Sequence, residues 1–199
     1  SNPHRLGFKI VSYQILGLPN ESLDSMVQTL AFNARLPVLL GASPFYRTPN
    51  SPIARSLELN EGDFVKARLT ALAIETDNFT RDDIYTLFVT TRILNFLKGL
   101  PVSADVSLEE LMNHPFSDPR ARIGLELLSL TARTGRLYFA TRAELVENKH
   151  FRADLFQKVM SSAATVACQN GRIIDVRSAG FEWNASTPLL FSPAHAGED

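Results

Sequence analysis

Cysteine is almost missing from this chain: Cys168 is the single one in 199 residues. One thiol excludes an internal disulfide and any cysteine-rich zinc site. Long apolar runs are missing as well, and none approaches the roughly 18 residues that a membrane-spanning helix needs. No charged-then-apolar secretion signal stands at the start, where the chain opens Ser1-Asn2 without methionine. Charge of one sign is not in excess: 20 Lys and Arg face 21 Asp and Glu, a net −1. That balance argues against a globally basic nucleic-acid binder or a polybasic membrane anchor. No Gly-x-Ser-x-Gly elbow, Gly-rich phosphate loop or repeat occurs. The expectation is a cytoplasmic protein in a reduced compartment.

Three Asn-x-Ser/Thr sequons begin at Asn20, Asn78 and Asn184. They read either as glycosylation acceptors or as the cap residues that cluster where helices start. The first two stand at such starts, which favours caps.

The clearest element is the stretch Phe79–Pro101. Thr80 with Asp83 makes a capping box, and Phe79 and Ile84 are spaced for a hydrophobic staple. Lys98 lies in the last turn, Gly99 can take a left-handed cap, and Pro101 prevents continuation. The apolar residues between them run nearly all round the helix, which predicts a central helix over 81–98 wrapped by others.

Along the rest of the chain, 6–17 reads as a strand and 21–34 as an amphipathic helix. Residues 41–52 read as a long loop rich in turn formers. Over 61–75 Val65, Ala67, Leu69, Ala71 and Ala73 alternate as in a strand, but the cap at Asn60 and the alanines favour a helix. Ser107 with Glu110 caps a short helix ending near His114, and Asp118-Pro119 opens another that stops at Gly135. Leu137–Phe139 is a short strand or extended link. Thr141 with Glu144 gives a third capping box, for a helix over 142–149, and a last helix runs over 153–169 to Asn170-Gly171. Residues 172–176 suit a strand pairing with Phe181-Glu182-Trp183.

The fold class expected is mainly α, with minor β. It is a single-domain bundle of roughly six or seven helices around the buried helix 81–98. A small β-element comes from the N- and C-terminal segments. Residues 1–183 form the domain and 184–199 a tail or arm.

Function is read from three patterns. Phe45, Tyr46 and Arg47 in the loop are residue types of interface hot spots, and Leu189, Leu190 and Phe191 are an apolar triplet in a polar tail that needs somewhere to dock. They point to a non-catalytic interaction or assembly protein that self-associates.

The second pattern is uneven charge. Residues 120–177 hold ten Lys and Arg against five acids, whereas 101–119 hold four acids and no base. Arg120, Arg122, Arg133, Arg136, Arg142, Lys149 and Arg152 would form a face for RNA or single-stranded DNA, with interleaved Tyr138, Phe139 and Phe151 to stack bases. An ordinary solvated face is the plainer alternative.

The third pattern is an enzyme of unknown class, for which His114, Asp118, Glu147 and His150 are the candidates. Glu147-x-x-His150 has the spacing of helical di-metal sites but lacks the partner ligands, so no metal and no cofactor are expected.

Overall fold

The computed structural model describes residues 9–46, 52, 75–114, 116–141 and 144–177. The expected helix at 61–75 therefore lies outside the described residues except for Glu75, as do Phe181–Trp183 and the tail.

The chain begins with a strand, a helix and a second strand. Strand β1 (Val11–Leu16) pairs in parallel with β2 (Leu39–Pro44), in the register Tyr13 to Gly41, and helix α1 (Leu23–Ala34) connects them. Ser22 caps α1 by accepting from the Ser25 amide. Residues 41–44 of the expected loop 41–52 are thus strand. Parallel pairing with β1 supplies the backbone partners that Gly, Ser and Pro content does not forecast.

Helix α2 (Arg81–Lys98) carries both halves of the expected capping box: Thr80 Oγ1 accepts from the Asp83 amide at 3.2 Å, and the Asp83 carboxylate accepts from the Thr80 amide at 2.8 Å. Only Arg81 and Arg92 of α2 are exposed, so the helix is enclosed as its all-round apolar surface predicts. Its end differs from expectation. Gly99 is right-handed, at φ −88, and its amide bonds back to the Asn95 and Phe96 carbonyls.

Helix α3 (Leu108–Met112) follows strand β3 (Val106–Ser107) with its Ser107–Glu110 capping box formed. Helix α4 (Pro119–Thr134) starts at Asp118 and stops at a left-handed Gly135, φ 67.

The expected helix 142–149 is instead the return strand of a hairpin. Strand β4 (Leu137–Ala140) pairs antiparallel with β5 (Leu145–Asn148). Thr141 Oγ1 accepts from the Glu144 amide at 3.0 Å, the bond a capping box would make. The reciprocal bond, however, runs from the Thr141 amide to the Glu144 backbone carbonyl at 2.9 Å, not to its side chain. The same residue pair therefore closes a turn.

Helix α5 (Ala153–Ala163) also ends early, because Ala164 takes φ +60 and the β-branched Thr165 and Val166 continue as strand β6 (Thr165–Ala167). Asn170-Gly171, with Gly171 at φ 84, turns β6 back into β7 (Ile173–Asp175). Strand β7 lies between β6 and the parallel β3.

The result is an α+β mixture of five helices and three small sheets among the described residues, and not the mainly helical bundle expected. Short strands set beside longer helices carried too little periodic signal to be counted. The core gathers Met26, Leu30, Leu87, Leu94, Leu97, Phe156, Val159, Met160, Val166 and Ile174. Helix α2 runs through it, packed on both β2 and α5.

Candidate interaction surface

Strand β1 alternates. Gln14 and Leu16 are buried toward α1 and α2, while Val11, Tyr13 and Ile15 point outward and are 40%, 83% and 54% exposed. Opposite residues of a sheet share a face, so Leu39, Gly41 and Ser43 lie on that outer side too. The Tyr13 ring rests over Gly41, where an added Cβ would sit 2.7 Å from it.

The backbone of β1 is just as open. The Leu39 amide donates to the Ile10 carbonyl and the Phe45 amide to the Leu16 carbonyl, so the even-numbered residues of β1 face β2. Val11, Tyr13 and Ile15 direct their N–H and C=O groups to the other edge. No hydrogen bond reaches those groups among the described residues. The strand has no charge, no proline and no bulge, the usual devices that blunt an edge.

The far edge of β2 is treated differently. Asn95 of α2 accepts from the Leu40 amide at 2.8 Å and donates to the Leu40 carbonyl at 2.7 Å, replacing one rung of a neighbouring strand. A depression of about 220 Å³ beside it is lined by Leu40, Ala42, Phe88, Thr91 and Arg92, with the Arg92 guanidinium 5.1 Å from the Phe88 ring centre.

Of the expected partner-binding residues, Phe45 prolongs the β1–β2 ladder and is half-buried, and Tyr46 beyond it is exposed. Arg47, Leu189, Leu190 and Phe191 lie outside the described residues.

The basic residues divide. Arg136 pairs with Glu147 at 3.2 Å, and Arg152 bridges the buried Asp83 and Asp154, both at 2.5 Å. Arg120, Arg122, Arg133 and Lys149 are exposed and make no ion pair among the described residues. Arg120 and Arg122 start α4 and Arg133 ends it, roughly 17–20 Å away. The side chain of Arg142 is outside the description. Of the interleaved rings, Tyr138 is buried, Phe151 half-buried and Phe139 exposed.

The four residues considered for catalysis go to separate tasks. His114 stacks edge-on against Phe116, and Asp118 caps α4. Glu147 faces Arg136, while His150 Nδ1 meets Asp82 at 2.9 Å. Beside that pair, Asn148 donates to the Tyr85 hydroxyl and the Arg152 amide to Thr86 Oγ1. The expected shared helical face of Glu147 and His150 does not exist, because β5 is a strand. No group of three metal-ligating side chains occurs among the described residues.

One buried cation escaped the sequence reading. Lys98 is 1% exposed, and its Nζ donates to the carbonyls of Asn33, Ala34, Leu36 and Ala167 at 2.6–3.3 Å. Burial lowers its pKa from 10.5 to about 8, with the neighbouring Cys168 a smaller influence in the opposite direction. Burial in turn raises the Cys168 pKa. The only sequence signal was a lysine in a last turn, which does not reveal that it serves the end of another helix.

No helix among the described residues is long and apolar enough to cross a membrane. Comparison with protein-family models, curated proteins and solved structures returned no match.

Proposed function

We propose that this chain is a non-catalytic interaction and assembly protein that self-associates, and that the β1–β2 sheet is its contact surface. The observation that supports this reading is β1 itself: an uncharged strand whose outer side chains are exposed and whose edge amides lack partners among the described residues. Such an edge recruits another strand, because main-chain bonding and apolar burial are both gained on contact. Tyr46, two residues past β2, with Phe45, Arg47 and the Leu189, Leu190 and Phe191 tail, would extend the contact. A reduced, intracellular setting suits a protein whose one thiol, Cys168, is buried and free.

Sedimentation velocity across a wide concentration range tests the reading. An oligomer whose proportion rises with concentration is expected, and a strict monomer at every concentration removes it.

Binding to single-stranded nucleic acid is the second reading, and Arg120, Arg122, Arg133 and Lys149, exposed and without ion pairs among the described residues, favour it. Affinity should fall steeply with salt and weaken in Arg133→Ala. No binding at low salt excludes it.

A further inference from the structure

The open edge of β1 is self-complementary, and we infer that its partner is β1 of a second copy, paired antiparallel about a two-fold axis at Tyr13. This deepens the proposed self-association and rests on it.

Val11, Tyr13 and Ile15 each turn one N–H and one C=O to the free edge, three donors and three acceptors. In an antiparallel ladder, residues that face each other in a hydrogen-bonded pair exchange both of their bonds. With Tyr13 opposite Tyr13, Val11 of one copy falls opposite Ile15 of the other. Three such pairs then form, and every edge donor meets an edge acceptor. Moving the register by one residue would set these groups against residues whose amides point back toward β2.

Symmetry decides the faces. A two-fold axis perpendicular to the sheet makes the strands antiparallel and keeps both outer faces on one side. The helices under each β1–β2 pair then lie together on the other side, with none placed against a partner's exposed face. A parallel pairing related by a two-fold axis would instead turn one sheet over and place its helices on the opposite side. In the antiparallel arrangement Val11, Tyr13 and Ile15 of both copies merge into one apolar surface on a four-stranded sheet, β2–β1–β1–β2. No like charges oppose the contact, since Val11–Leu16 contains none.

Single cysteines test the register, because Cys168 is fully buried and does not compete. Tyr13→Cys places two thiols across the axis, with Cα atoms about 5.5 Å apart, within disulfide reach. Ile15→Cys places them about 14 Å apart along the strands, out of reach. Under mild oxidation Tyr13→Cys should give a covalent dimer. Ile15→Cys alone should not, but should crosslink when mixed with Val11→Cys. Tyr13→Pro removes an outward N–H and no bond to β2, so it should lose the dimer while keeping its circular dichroism spectrum.

An oligomer in which Tyr13→Cys fails to crosslink, or in which Ile15→Cys alone crosslinks as readily, overturns the paired-strand inference but leaves self-association standing. A wild-type protein that is monomeric throughout removes the self-association itself. Should Tyr13→Pro not fold, the cysteine pattern still decides.

Discussion

Lys98 holds together parts of the chain that are far apart in sequence. Its ammonium meets three carbonyls at the end of α1 and one from β6; those of Asn33 and Leu36 also accept the Leu36 and Val38 amides, whereas those of Ala34 and Ala167 depend on the lysine. Replacing it by methionine keeps the stem and orphans the Ala34 and Ala167 carbonyls. Lys98→Met should lower stability by about 2–4 kcal/mol in chemical denaturation at neutral pH. The pH dependence has a definite sign. The folded-state pKa of about 8 lies below the ordinary 10.5, so between those values the unfolded chain binds the proton more tightly. Stability attributable to Lys98 therefore rises as pH climbs from about 8 to 10.5, by roughly 3 kcal/mol at most. The difference between wild type and Lys98→Met, followed from pH 7 to pH 10, should widen upward; a difference that narrows contradicts the assignment.

At the scale of elements, caps and stops carry most of what could be read locally. Thr80, Ser107 and Asp118 all cap the helices expected of them, and Ser22 caps a helix expected to begin two residues earlier, since capping bonds span no more than three residues. Thr141 and Glu144 show where that local signal stops. The Glu144 amide donates to the Thr141 hydroxyl as in a cap, yet the following residues pair with β4, and only the tertiary partner separates helix entry from hairpin turn. Ala164 is the other boundary set from outside. It ends α5 at φ +60, where a side chain is strained, because β6 must turn to pair with β7. Ala164→Gly should raise stability by about 1 kcal/mol through release of that strain, measured by urea unfolding; a destabilised variant would show that the Ala164 methyl contributes more by packing.

At the scale of the whole molecule, self-association couples stability to concentration. If the β1 edges pair, Tm should increase with protein concentration by mass action. Ile15→Lys, which puts a charge on the outer face, should remove that dependence without lowering Tm in dilute solution. Added salt should change the association little, because the strand carries no charge to screen. Differential scanning calorimetry at several concentrations and salt levels measures both effects, and a Tm independent of concentration counts against pairing.

Helices that announce their own ends are legible locally: α1, α2, α3 and α4 follow from caps, stops and apolar spacing within one stretch. The sequence also placed β1, through its β-branched and aromatic content, and marked α2 as enclosed. The tertiary structure alone decided the rest. Strands β2, β5 and β6 exist because of the strands beside them, and their residues read equally well as loop or helix. The sequence drew attention to Phe45–Arg47 and the tail; the open surface among the described residues is β1. That openness depends on which side of β1 the neighbour β2 occupies, and Lys98 became a cap for α1 only when two distant helices met. Both are relations between segments, and no single stretch of the chain encodes them.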